Sequence, residues 1–199
     1  RRDHRWHIPR PDHTRQLGTP NVCTDCHKEK DNKWAESITN KWYELLPASE
    51  ERHFAPVFSA IDAGYGQASR ALSQIAQDTK YADIIRASAL ERMAPYINNN
   101  TIIAIARALK DTDSNVRLGA ISGAANINGA ERWRMLSPLL QDKVLAVRTQ
   151  AAFTLVSLWP NLSDGQRKQL SPSLNEYMKT QDYNADRGFS HTNKANVFV

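Results

Sequence analysis

Cys23-Thr24-Asp25-Cys26-His27 places two thiols three residues apart, with an imidazole immediately after the second. Those residue types suit three chemistries. A redox pair of the thioredoxin kind would need a strand–helix–strand setting, and none is readable here. A closed zinc site would need two further ligands nearby, but there is no third cysteine and the other histidines are scattered. Covalent haem attachment needs only what is present. Thiols at i and i+3 meet the two vinyl groups of one porphyrin edge, and the next residue puts its imidazole under the iron. The expected cofactor is therefore one haem c on Cys23 and Cys26, with His27 as the proximal iron ligand.

The sixth iron ligand decides whether such a centre transfers electrons or binds small molecules. His4, His7 and His13 precede the motif, His53 follows it, and His191 lies near the end. A histidine is expected to complete the iron, and His4, His7, His13 and His53 are the candidates. Met93, Met135 and Met178 fall in helical patterns and read as packing residues. Downstream of the motif, Trp34, Ile38, Trp42 and Leu45 follow at helical spacing. They form an apolar stripe of large rings suited to covering a porphyrin face, with Trp34 and Trp42 the expected haem contacts. Ordinary core packing would produce the same stripe.

The elements that position these groups divide into three stretches. Residues 1–65 read as a haem-binding segment, opening with an extended arm over Arg1–Val22 because Pro9, Pro11, Pro20 and Gly18 interrupt any period. Residues 66–181 carry helical periodicity almost throughout, and residues 182–199 lose it. Strand alternation is weak everywhere, so the chain is expected to be all-α. The middle stretch repeats. Ile85-Arg86, Val116-Arg117 and Val147-Arg148 recur at a spacing of 31 residues, each followed by Ala89, Ala120 or Ala151, with Asp111 and Asp142 in the intervening turns. Each arginine is expected to reach the aspartate of a neighbouring turn, and stacking is required because one hairpin cannot bury its apolar face alone.

The net charge is +5, and much of the excess lies in Arg1, Arg2, Arg5, Arg10 and Arg15. Haem propionates are the expected partners of these arginines. Nucleic acid is not, since no recognition-helix pattern follows. No apolar run reaches the length of a membrane span. A start at Arg1 without an initiator Met reads as a mature protein or an excised piece.

Residues Tyr81–Trp159, with their Asp-x(3–5)-Val-Arg-x-x-Ala pattern, resemble short HEAT repeats of the bacterial type. This implies a HEAT-like α-solenoid after the haem segment. The first unit departs, with Ile85 in place of Val and Asp83 too close to Arg86. Over nearly the whole chain, Arg1-Arg2-Asp3-His4, Leu17-Gly18-Thr19-Pro20-Asn21-Val22 before the motif, and Trp34-Ala35 after it resemble a family of bacterial multihaem c-type cytochromes. Those proteins carry several haem motifs, then HEAT-like repeats, then tetratricopeptide repeats. The resemblance implies that Cys23, Cys26 and His27 form the last haem site and that His4 is a distal ligand. It also implies that Asn184-Ala185-Asp186-Arg187 and His191 enter a first tetratricopeptide repeat of a larger parent. His53-Phe54 matches another recurring pair, and His13 stands where the family usually has an apolar residue.

The expected function is an electron-transfer module working with a redox partner protein. It would act in the periplasm or outside a bacterial cell, where haem is attached, as an electron carrier rather than an enzyme. An open-iron haem enzyme or sensor and a helical interaction scaffold are the alternatives. Oligomer formation is compatible with all three.

Overall fold

The computed structural model describes residues 9–43 and 53–197, and every regular element among them is helical. No helix among them is long and apolar enough to cross a membrane. The chain divides into two compact units between Tyr65 and Gly66.

The first unit holds α1 (Pro11–Leu17), α2 (Val22–Cys26), α3 (Asn32–Trp42) and α4 (Ala55–Asp62). The arm expected to be extended is therefore helical over Pro11–Leu17. Proline is tolerated in the first helical turn, where its missing N–H costs nothing, and Pro11 occupies that position. Gly18 then ends the helix at φ 71°, donating its N–H to the Thr14 carbonyl, a left-handed cap that glycine adopts without strain. Arg15 of α1 forks onto Glu36 of α3 with bonds of 3.1 and 3.2 Å. Arg1, Arg2, His4, Arg5, His7 and Leu45 lie outside the described residues.

The second unit holds α5 (Ser69–Gln77), α6 (Asp83–Glu91), α7 (Asn99–Ala108), α8 (Ser114–Gly123), α9 (Gly129–Leu136), α10 (Leu145–Val156), α11 (Asp164–Tyr183) and α12 (Gly188–Ala195). The 31-residue repeat maps onto α6, α8 and α10. These are neighbours in space, α6 against α8 and α8 against α10. A Cβ added to Gly119 would collide with the Ala87 backbone, and one on Gly123 with the Leu90 carbonyl, so α8 lies almost backbone to backbone on α6. Leu72, Leu90, Ile105, Ile121, Leu136, Leu155 and Leu170 fill the interior.

The expected arginine ties are present. Arg86 donates to Asp111 at 2.6 Å and Arg117 to Asp142 at 2.9 Å, each bond spanning 25 positions. Arg86 also bonds Asp83, so the acid that departs from the repeat pattern adds a second partner. Arg148 ends the series on Glu176 of α11. Residues 182–199 were expected to lose helical structure, yet α12 forms there. It is fastened to α11 by Lys194–Asp182 and Asn193–Gln181. Its low apolar content hides it from a periodicity reading, and polar bonds supply the attachment.

Candidate haem-attachment site

Cys23 and Cys26 both lie in α2, so their side chains emerge on one face, three residues being close to one helical turn. Asn21 caps that helix. Its side-chain oxygen accepts the Cys23 N–H at 3.0 Å, and its amide donates to Asn32 Oδ1 at 3.2 Å. Thr24 returns its hydroxyl to the Asn21 carbonyl. His27 closes the other end, donating its N–H to the Cys23 carbonyl at 2.8 Å. The chain then turns, with the Lys30 N–H on the His27 carbonyl, and Asp31 starts α3 by accepting the Trp34 N–H at 2.8 Å.

This leaves both cysteines as free thiols, Cys23 half-buried and Cys26 exposed. The His27 ring, also exposed, lies 5.0 Å from the Trp34 ring. Trp34 and Ile38 are half-buried and Trp42 is 72% exposed, while Ala35 and Thr39 form the covered face of α3. The stripe of rings therefore lies beside the packed face rather than on it. Among the described residues of this unit the buried side chains are Pro11, Ala35 and Ile61 together with His13, Asn21 and Thr39. A described core so poor in large aliphatic side chains is of the kind that a covalent or ligand staple supports. Two accessible thiols on one turn, an exposed imidazole after them and the half-buried Trp34 ring beside that imidazole fit a covalently attached porphyrin.

The histidine candidates separate. His27 stands with Trp34. His13 and His53 stand with each other, ring centroids 4.3 Å apart and edge to face. His13 is only 5% exposed. Burial, assisted by the Arg10 guanidinium, holds its imidazole below the usual histidine range, and Asp12 opposes this from 3.8 Å. His53 accepts the Ala55 N–H on Nδ1 at 3.1 Å and stacks on Phe54. His191, in the second unit, contacts the Ala185 carbonyl, a local role. His4 and His7 fall outside the described residues.

Arg10 and Arg15 are bonded to Asp12 and Glu36. The side-chain bond from Arg10 is what lowers the Asp12 pKa most. Among the described residues no group of three or more His, Cys, Asp or Glu is gathered for a bare metal ion. The positioning residues that motif reading passes over are Asn21 and Asp31. An Asn or Asp just ahead of a helical stretch is a capping signal, and that signal could have found both.

No protein-family model, no curated protein and no solved structure matches the chain.

Proposed function

We propose that this chain is an electron-transfer module bearing one haem c on a helical-repeat scaffold. The observation that supports it best is the pair of accessible free thiols on one helical turn, capped by His27. Cys23 and Cys26 would hold the group by thioether bonds, with His27 as one iron ligand and His4 as the other. Such a group supplies one-electron exchange between ferric and ferrous iron. The chain's own residues do the positioning: Asn21 and Asp31 set the turn on either side, and Trp34 flanks the His27 ring at 5.0 Å. The second unit reads as a HEAT-like solenoid of helical hairpins. The ladder from Arg86 to Asp111 and Arg117 to Asp142 supports this, since each rung repeats at the spacing of the sequence pattern. Membership of the multihaem cytochrome family, and a periplasmic or extracellular bacterial location, go with this reading. A redox protein is its natural partner.

The test is an intact mass in denaturant after expression with the haem-attachment machinery. The chain should be heavier by one haem, and should lose that mass in Cys23→Ser/Cys26→Ser. An unchanged mass ends the haem reading. One observation favours an open-iron enzyme or sensor: His13 and His53 are occupied with each other, which leaves fewer histidines for the iron. Carbon monoxide separates the two. A saturated iron leaves the reduced spectrum unchanged, and a large shift assigns the open site.

A further inference from the structure

A groove runs between α5 and α7, made of two cavities that share Gln77 and Arg107. One, of about 180 Å3, is floored by Ala76, Ala104 and Ala108. The other, of about 220 Å3, is lined by Arg70, Gln74 and Asn100. The charge along it is unbalanced. Arg86, Arg117 and Arg148 each meet a carboxylate. Among the described residues Arg107 bonds only the Gln77 amide oxygen, at 2.5 Å, and Arg70 has no hydrogen-bond or ion-pair partner. Gln77 is held in place by donating its Nε2 to the Ser73 carbonyl at 2.8 Å. The one acid on the groove, Asp111, is already taken by Arg86.

We infer that this groove is a docking site for an extended, acidic peptide segment of a partner protein. A carboxylate makes a stronger, forked pair with a guanidinium than an amide oxygen does, so it displaces Gln77 from Arg107. The Gln74 and Asn100 amides offer both a donor and an acceptor, matching a peptide backbone, and the alanine floor lets a main chain approach. Arg70 and Gln77 lie two helical turns apart on α5, roughly 10 Å. An extended strand advances about 7 Å every two residues, so acids two to four residues apart span the two arginines. A free phosphate would leave most of this length unfilled.

The site does not depend on the haem, and its failure would leave that reading intact. The experiment uses the full chain and a fluorescein-labelled short peptide of alternating Glu and Ala, read by fluorescence anisotropy. The peptide should bind, its Lys-Ala counterpart should not, and affinity should fall as salt rises. Arg70→Glu and Arg107→Glu should each weaken binding by about tenfold or more, while Lys168→Glu on α11 carries the same charge change and should leave it unaltered. Arg70→Glu removes no internal bond, so it reports on docking even if Arg107→Glu unfolds. Equal affinity in Arg70→Glu and wild type overturns the assignment, as does absence of binding. Displacement of the peptide by inorganic phosphate at matching concentration also overturns it, in favour of a simple anion site.

Discussion

Asn21 closes the first turn of α2 on the Cys23 N–H and reaches Asn32 with its amide, so one buried side chain joins both flanks of the thiol turn. Asn21→Ala is expected to cost about 1 kcal/mol, the usual loss at a helix N-cap, and to lower the haem-bearing fraction read by intact mass. Asn21→Asp, which keeps the cap, should recover both. His13 makes a second prediction. Its imidazole is held below the ordinary value of 6.5 by burial, so the unfolded chain takes up a proton there before the folded one does. Stability is then complete above pH 6.5 and declines as pH falls through that value toward the folded pKa. Urea unfolding at pH 7 and pH 5 should show a smaller difference between the two in His13→Leu than in wild type. An equal difference would assign the slope to other groups.

Between elements, Gly119 and the arginine ladder carry the argument. A methyl at Gly119 meets the Ala87 backbone, which cannot swing aside. Gly119→Ala is expected to lose about 1–3 kcal/mol to overpacking, despite alanine's better helix propensity. Gly188→Ala, in open space with an unstrained φ, should be neutral or slightly stabilising by the same denaturant melt. The Arg117–Asp142 pair is nearly enclosed, at 6% and 9% side-chain exposure. Removing one partner of such a pair leaves the other charge buried, so Asp142→Ala is expected to cost about 3–5 kcal/mol. Burial alone would raise the Asp142 pKa. The Arg117 bond and the Val144 N–H outweigh it, and the carboxyl stays below 3.8. Its stabilisation is therefore present above that value and is lost as pH falls through the folded pKa. Melts from pH 6 to pH 2 should show that loss in wild type and a shallower slope in the variant.

For the whole molecule, the two units divide the work unequally. Residues 66–197 bury a continuous aliphatic interior, whereas the buried side chains in the described part of the first unit are Pro11, Ala35 and Ile61 with the polar His13, Asn21 and Thr39. Cys23→Ser/Cys26→Ser should therefore leave hydrogen-exchange protection in α6, α8 and α10 intact and reduce it in α1–α3. Equal protection in both forms would mean that the first unit holds itself together.

The thiol and imidazole spacing, the all-helical class and the Arg–Asp pairing were readable along the chain, because each depends on local order: a fixed offset, a helical period, a repeat. The helix over Pro11–Leu17 was not, since prolines read as breakers until one sits at a first turn. Nor was α12, whose hold on α11 is polar. Four matters were decided only by the tertiary structure. His13 is enclosed against His53, Gly119 bears on the Ala87 backbone, Arg10 and Arg15 find carboxylates, and Arg70 and Arg107 share a groove whose one acid, Asp111, is held by Arg86. Burial and charge balance are properties of atoms brought together from distant positions, and linear spacing along a chain does not contain them.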